Sequence, residues 1–183
     1  MNSLRLLLGL LLAAPLSALA AGERFTRHGA EFSVSVRPPE GTAAFYAARG
    51  FPKDMVEAIS QVCLVGVGIR NERDDVLWLE LDNWRFTNAA GEEVKRITRP
   101  EWDTRWMAMN APLAARATFD WTQLPENRDL QPGEPVGGNV AVHDPKGEFM
   151  LTARFRTGNG TGNGDTLEIQ VPGLRCKTME AQP

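Results

Sequence analysis

Residues 61–86, QVCLVGVGIRNERDDVLWLELDNWRF, decide the fold class of this chain of 183 residues. In the first half of this stretch, one set of alternate residues is apolar, and the other set is apolar or small. The first set is Cys63, Val65, Val67 and Ile69, and the second is Val62, Leu64, Gly66 and Gly68. A period of two with both faces apolar predicts a strand buried on both sides, in the middle of a sheet. Gly66 and Gly68 indicate a bulge or a close approach of another element to the backbone.

The second half of the stretch predicts a partner strand. Residues 71–75 (NERDD) favour a turn, because Asn and Asp side chains bond to the local backbone. After them, leucines occupy one face and a mixture of tryptophans and acids occupies the other. The two sets are Leu77, Leu79 and Leu81 against Trp78, Glu80, Asp82 and Trp84. We therefore expect a hairpin with the first half, and further strands beside it, since two strands alone are marginally stable.

The first twenty residues have the organisation of a cleaved export signal. Arg5 supplies the positive start, residues 4–16 form a short apolar run, and residues 18–20 (ALA) form a small-x-small cleavage site. The run is too short to span a bilayer, which needs roughly 20 apolar residues. No cysteine lies at the cleavage point, which disfavours a lipid anchor. We predict a mature protein in the periplasm or outside the cell, the alternative being a retained N-terminal anchor.

Residues 21–183 have the length of a single domain and contain no further apolar stretch long enough to cross a membrane. The chain carries 20 basic and 23 acidic residues, and loss of Arg5 with the signal would change its formal charge from −3 to −4. A nucleic-acid-binding surface would show a clustered basic excess. We therefore expect no nucleic-acid partner and no transmembrane segment in the mature chain.

The chain has two cysteines, Cys63 and Cys176. In an exported protein such a pair favours one disulfide, which would tie the central strand to the C-terminal strand. Closing a loop of more than one hundred residues would stabilise the fold by about 4 to 5 kcal/mol in the loop-entropy model, before any strain is subtracted. The alternatives are two unpaired thiols or a pair of metal ligands.

Helices are predicted in two places. Between residues 42 and 60 the apolar residues recur at intervals of three and four, and Gly50 with Pro52 separates two short helices. We expect the apolar side of this insert to rest on the face that carries Trp78. Pro100 starts a helical turn that would place Trp102 and Trp106 one above the other.

The remaining segments mostly alternate and predict strands separated by turns. They are residues 31–37, 92–97, 113–123, 140–142, 149–156 and 167–171. Residues 125–138 are predicted to be a loop, and 158–164 (GNGTGNG) a hairpin tip. Seven or eight strands without repeated strand-helix units indicate a mostly β protein, an antiparallel β-sandwich with a helical insert after its first strand.

One part of this pattern resembles a known class of protein. The succession VGIRN, polar turn, VLWLELDNWRF, Gly-containing turn and EEV is similar to that of small exported immunoglobulin-like domains of bacteria. The resemblance covers about forty residues and implies an immunoglobulin-like sandwich, a fold that hosts many functions. The helical insert departs from the plain immunoglobulin plan.

Catalytic constellations are scarce. Nucleophilic catalysis needs a Ser, Cys or Thr beside a base that a third group orients. After residue 20 the chain has three serines, Ser33, Ser35 and Ser60, and two histidines, His28 and His143. The small number of serines and histidines argues against a serine or cysteine hydrolase. We therefore predict a protein that is not an enzyme and uses no cofactor.

Other chemical readings of the sequence are less specific. Glu101 with Asp103 and Glu80 with Asp82 are acid pairs, and only the second pair would share a face on a strand. Methionines 107 and 109 with His143 and the cysteines resemble a soft copper site, but the methionines also suit a core gap. The glycine-rich tip lacks the helix that a phosphate loop requires.

The five tryptophans offer two binding hypotheses. In the first, Trp102 and Trp106 form an exposed rim with Arg99 and Arg105 and bind an envelope protein, since Trp and Arg concentrate binding energy. In the second, Trp78, Glu80, Asp82 and Trp84 form an aromatic and acidic strand face that binds a carbohydrate or a metal ion. The simpler alternative is that the tryptophans pack the core.

Overall fold

Two antiparallel sheets and a layer of helices make up the described part of the chain. The structure is a computed structural model and describes residues 24–160 and 162–176. Its strands are β1 (Arg24–Arg27), β2 (Ala30–Val36), β3 (Cys63–Asn71), β4 (Leu77–Glu80), β5 (Arg85–Asn88), β6 (Asn127–Leu130), β7 (Pro135–Val142), β8 (Glu148–Thr157) and β9 (Thr166–Arg175). Its helices are α1 (Pro39–Ala47), α2 (Lys53–Ser60), α3 (Arg99–Ala108) and α4 (Leu113–Trp121). The predicted export signal, residues 1–20, lies outside the described residues.

The first sheet has the strand order β1-β2-β3-β7, with β3 in the interior as predicted. Val67 of β3 lies opposite Val34 of β2 on one side and Gly138 of β7 on the other. The glycines of β3 mark close approaches, because a Cβ on Gly68 would lie 2.7 Å from Ser33 Oγ. The double-sided apolar pattern thus correctly indicated a central strand.

The expected hairpin between β3 and β4 is wrong. Both hydrogen-bonding edges of β3 are occupied by β2 and β7, so the chain crosses to the second sheet after Asn71. The buried side chain of Asn71 fixes the crossing, since its Nδ2 donates hydrogen bonds of 2.8 Å to the carbonyls of Asp75 and Leu130. The polar segment is therefore a connection between sheets.

The second sheet is built on β8. Strand β9 pairs with one edge of β8, while β4 and β5 pair with successive parts of β8, and β6 pairs with β4. A 3-10 turn at Leu81–Asn83 separates β4 from β5. Leu81 and Trp84 are both buried although they are three residues apart. A continuous strand would place them on opposite faces, so the turn changes which residues face the core.

The two sheets face each other across one shared apolar core, so the fold is a mostly β antiparallel sandwich. Phe32 of β2 contacts Trp84 and Phe155 from the second sheet, with ring centroids 6.0 and 6.1 Å apart. Cys63 at the start of β3 forms a disulfide with Cys176, directly after β9, with a Cα–Cα distance of 5.6 Å. The predicted disulfide is confirmed, and it links the two sheets.

The helices form a third layer on the outer face of the first sheet. Leu64 of β3 and Ala141 of β7 point into a second apolar cluster with residues of all four helices. Among the helical members are Tyr46, Met55, Ile59, Trp106 and Phe119. The helical segment at 39–60 thus rests on the first sheet and not on the face of Trp78, and since β1 precedes β2 it follows the second strand. No helix within the described ranges is both long and apolar enough to span a bilayer.

The predicted strand at 113–123 is wrong, because most of this segment forms α4. The order of Ala, Thr and Arg in this segment is compatible with the period of a strand or of a helix. The buried residues of the segment are Ala115 and Phe119, which are four apart, as on one side of a helix. Leu, Ala and Arg favour helix, and Pro112 occupies the N-cap position directly before the first turn. The helix propensity of these residues therefore outweighed their alternation of apolar and polar side chains.

Two further segments differ from the sequence expectation. Residues 92–97 do not form a strand and take part only in isolated bridges, Thr87 with Glu93 and Arg96 with Val142. The predicted loop at 125–138 contains β6 and the first residues of β7. Strands β6 and β7 pair with β4 and β3, which are distant in sequence, and local patterns do not specify such pairing.

Candidate functional site

The expected exposed rim at Trp102 and Trp106 is wrong, because these side chains are 3% and 0% exposed. A capping box of Thr98 and Glu101 starts α3. The two indoles then stack with centroids 4.9 Å apart and an interplanar angle of 17°. The ring of Phe119 on α4 meets both edge-on. The spacing of four that brings the tryptophans together also turns them onto the helical core.

The arginines of the expected rim lie beside this buried stack. The Arg105 guanidinium is 4.9 Å from the Trp102 ring centroid. Arg99 belongs to a charged cluster on α3 and α4 with Asp103, Arg116 and Asp120, in which Arg116 Nη2 is 3.2 Å from Asp103 Oδ1. Partial burial raises the pKa of Asp120, against the charge of Arg99. Two arginines and two aspartates balance one another here, so the cluster carries little net charge for attracting a ligand.

The alternative site on β4 is divided by the 3-10 turn. Trp78 and Glu80 lie together on the outer face of the second sheet, next to Arg156. Asp82 instead has an exposed side chain 3.0 Å from Arg96, and Trp84 is buried between the sheets. The expected shelf of two tryptophans and two acids is therefore wrong, because the turn sends alternate residues to different surroundings.

The two residues that stay together are already engaged within the protein. Trp78 Nε1 donates a hydrogen bond of 2.9 Å to the carbonyl of Gly158. Glu80 accepts hydrogen bonds from Arg156, one of them 2.9 Å from Nε to Oε2, and these lower the pKa of its carboxyl group. Gly162 lies against the indole, since a Cβ there would be 2.9 Å from Trp78 Cδ1. This face of β4 holds the β8–β9 connection in place.

The remaining chemical candidates do not converge. His143 is exposed, and its Nε2 lies 3.7 Å from Oε1 of Glu101. Both cysteines belong to the disulfide, so neither is a thiol nucleophile or a metal ligand. In residues 24–160 and 162–176 no three His, Cys, Asp or Glu side chains are grouped as a metal site requires.

The most exposed large apolar side chains lie along α4. Leu113 is 78% exposed and Trp121 is 88% exposed, with the exposed Ala117 midway between them. We call Leu113, Ala117 and Trp121 the α4 stripe, because residues four apart share one side of a helix. Sequence reasoning missed this surface by assigning the segment to a strand. The signal was present in the spacing of Leu113, Ala117 and Trp121.

The end of α4 that carries Trp121 is anchored to two other elements. The hydroxyl of Thr122 lies 2.7 Å from the hydroxyl of Tyr46 on α1. Asn139 of β7 donates from Nδ2 to the carbonyl of Thr122 over 3.0 Å, and Leu124 N donates to the carbonyl of Asn139 over 2.9 Å. Trp121 is therefore displayed on a rigid support, which lowers the entropy lost when it is contacted by a partner.

Comparison with known proteins identifies a shared fold and no family. The sequence matches no protein-family model and no curated protein. The structure is similar to that of the yjhA protein from Bacillus subtilis, with a TM-score of 0.50 and 12% identity over 84% of this chain and 97% of that one. This likeness shows that the overall fold occurs in another solved protein.

A second solved structure is less similar. It is the ycdA protein of Bacillus subtilis, described as a candidate lipoprotein, with a TM-score of 0.44 and 12% identity. The match covers 83% of this chain and 39% of ycdA, so this chain spans well under half the length of that protein.

Proposed function

We propose that this protein is an exported, non-enzymatic binding domain with an immunoglobulin-like sandwich, and that it recognises an envelope protein through the α4 stripe. The observation that carries the proposal is the exposure of Trp121, at 88%, in line with Leu113 on the same side of α4. Leaving two large apolar side chains in water is unfavourable by about 25 cal/mol per Å² of their apolar surface. A partner that covers them recovers this free energy.

The disulfide and the sequence of residues 1–20 support export. A disulfide such as Cys63–Cys176 persists in oxidising compartments, including the periplasm and the cell exterior. The envelope is therefore where the partner is sought. Identification of the mature N-terminus by mass spectrometry tests this part of the proposal, and the expected start is close to Ala21.

The charges around the α4 stripe favour a protein partner over a lipid surface. Attachment to anionic lipid is typically supported by a lysine- and arginine-rich polar face. The charged cluster beside the stripe contains two arginines and two aspartates, and the whole chain has a formal charge of −3. We therefore expect the partner to present an apolar groove or helix face that receives Trp121.

Site-specific photo-crosslinking in cells tests the proposal. A photoreactive residue replaces Trp121, and a control carries it at Ala90, in the exposed turn after β5. We expect one envelope protein to be cross-linked from position 121 and not from position 90. Cross-links only between copies of this chain would contradict the proposed partner and indicate a dimer.

Binding with purified proteins completes the test. The cross-linked protein is purified and titrated by calorimetry with the unaltered chain, Trp121→Ala, Ala117→Glu and Ala90→Glu. Because a buried tryptophan anchor contributes 2 kcal/mol or more, we expect both stripe variants to bind about tenfold or more weakly. Equal affinity for Trp121→Ala and the Ala90→Glu control would contradict the role of the stripe.

A further inference from the structure

A cavity of about 350 Å³ lies between α1 and the outer face of the first sheet. Leu64 of β3 forms part of its floor, and Phe45 and Tyr46 of α1 form one wall. The cavity lies within the volume range of small-molecule sites, at its lower end. It is separate from the α4 stripe, which is on the solvent side of another helix.

The absence of a side chain at Gly66 leaves room for Arg37, which lines this cavity. A Cβ on Gly66 would lie 2.7 Å from Cζ of Arg37, so the guanidinium occupies space beside β3 that a larger residue at position 66 would take. The same guanidinium lines the cavity. The close approach that the glycines of the central strand predicted therefore serves to place an arginine beside the opening.

Arg37 has no acidic partner among residues 24–160 and 162–176. Within the described residues its guanidinium has no ion pair and no side-chain hydrogen bond, and no Asp or Glu lines the cavity. Arg37 is an exposed residue at the edge of the cavity, and the other residues that line the cavity are uncharged, so this guanidinium is the charged group that an occupant would meet. A planar guanidinium is suited to holding a carboxylate by two parallel hydrogen bonds.

The lining also contains the polar side chains of Thr42 and Asn139 and the aromatic ring of Tyr46. Thr42 is only 7% exposed, lines the cavity, and has no partner for its hydroxyl within the part of the chain that the structure describes. The hydroxyl of Tyr46 lies 2.7 Å from the hydroxyl of Thr122, and this hydrogen bond holds the ring in place. Burial raises the pKa of the Tyr46 hydroxyl. The lining thus combines one cation, two aromatic rings and the polar side chains of Thr42 and Asn139.

We infer that this cavity binds a small aromatic carboxylate. The carboxylate would pair with Arg37, and the ring would lie against Phe45 and Tyr46 over Leu64. This site goes beyond the proposed function, because it does not depend on the α4 stripe or on any partner protein. The single positive charge selects an anion, and the volume suits a ligand of about one ring.

Amide chemical shifts in ¹H–¹⁵N spectra test this inference, with benzoate as the anionic probe and benzamide as its uncharged counterpart. We expect benzoate to give saturable shifts at Gly41, Thr42 and Asn139, which line the cavity. Because a hydrogen bond between two charged groups is stronger than one to a neutral amide, benzamide should bind at least about tenfold more weakly. Equal shifts from the two probes, or benzoate shifts confined to other surfaces, would overturn the inference.

Two pairs of variants locate the site. Arg37→Gln should weaken benzoate binding about tenfold or more, whereas Arg70→Gln, on the same face of β3, should change it less than about twofold. Gly41→Leu should block the cavity, whereas Ala44→Leu, at an exposed position of the same helix, should not. If Arg37→Gln fails to fold, the Gly41 pair still decides. Unchanged binding in Gly41→Leu would then overturn the site.

Discussion

Phe119 and Trp121 are two residues apart on α4 and lie on opposite sides of it, one fully buried and the other 88% exposed. Phe119 packs edge-on against the stacked indoles of Trp102 and Trp106. Trp121 faces solvent from the last turn of the helix. The same helix therefore closes the second apolar cluster and displays the surface proposed for binding.

Replacement of these two aromatic residues should separate stability from binding. Phe119→Ala should lower the free energy of unfolding by about 3 to 5 kcal/mol, because it opens a cavity between α3 and α4. Trp121→Ala should change it by no more than about 0.5 kcal/mol. Denaturation by urea measures both, and a large loss in Trp121→Ala would show that this side chain has a structural role.

Tryptophan fluorescence should report the exposure of Trp121 directly. The indoles of Trp84, Trp102 and Trp106 are buried, and Trp78 is partly covered. We expect Trp121→Phe to shift the emission maximum to shorter wavelength and to remove most of the emission that iodide quenches. Trp78→Phe serves as the comparison, and a larger loss of quenching there would contradict the assigned exposures.

Removal of the disulfide should destabilise the sandwich strongly. The Cys63–Cys176 bond closes a loop with a sequence separation of 113 residues. The double variant Cys63→Ala, Cys176→Ala should lose roughly 3 to 5 kcal/mol of unfolding free energy, through the added entropy of its unfolded chain. The same measurement on the unaltered protein with a reductant should agree, and a loss below about 1 kcal/mol would contradict this account.

The crossing between the sheets should depend on the Asn71 amide. Asn71→Ala leaves the carbonyls of Asp75 and Leu130 without their 2.8 Å hydrogen bonds. We expect a loss of about 2 to 3 kcal/mol, because buried acceptors remain unpaired. Asn83→Ala removes an exposed side-chain hydrogen bond to Glu80 and is the control, with an expected change below about 0.5 kcal/mol.

Stability should decline in acid. Hydrogen bonds from Arg73, Arg156 and the Thr98 amide lower the pKa values of Asp75, Glu80 and Glu101, respectively. A pKa that is lower in the folded state means that the native protein binds fewer protons. The stabilisation is therefore complete above the unfolded-state pKa values of about 4 and is lost as the pH falls through the folded-state values.

Unfolding free energies measured from pH 7 to pH 2 check this expectation. We expect a plateau above about pH 5 and a fall below about pH 4, with a shallower fall in Glu80→Gln than in the exposed control Glu93→Gln. Asp120 acts in the opposite direction, because burial raises its pKa and its contribution is lost as the pH rises. Stability that increases steadily toward pH 2 would contradict the prediction.

The sequence was informative where one strand determines its own pattern. Local residue spacing predicted the interior position of β3, the alternation in β8 and β9, and the helical turn at Trp102. The predicted export to an oxidising compartment indicated the disulfide. Pairing was different, because hydrogen-bonding edges are chosen by the whole sheet. Nothing within residues 61–86 indicates that β2 and β7 occupy both edges of β3.

The candidate sites were harder to predict for a related reason. The spacing of four between Trp102 and Trp106 specifies that the indoles share a helix face. Burial of that face depends on α4. The alternating pattern of residues 113–123 predicted a strand there, so α4 was not expected. The 3-10 turn at Leu81–Asn83 similarly separated Asp82 and Trp84 from Trp78 and Glu80. In the first case a packing partner from another helix decided which side chains reach solvent, and in the second a turn within the motif did so.

The covalent link between the two sheets also determines how the domain would respond to tension. Cys176 directly follows β9, and its sulfur is bonded to the first residue of β3, in the interior of the first sheet. Tension applied to the chain after Cys176 is therefore divided between β9, through the backbone, and β3, through the disulfide. A domain tethered there would resist the force with both sheets, because β9 could not separate from β8 while the disulfide holds its end to β3.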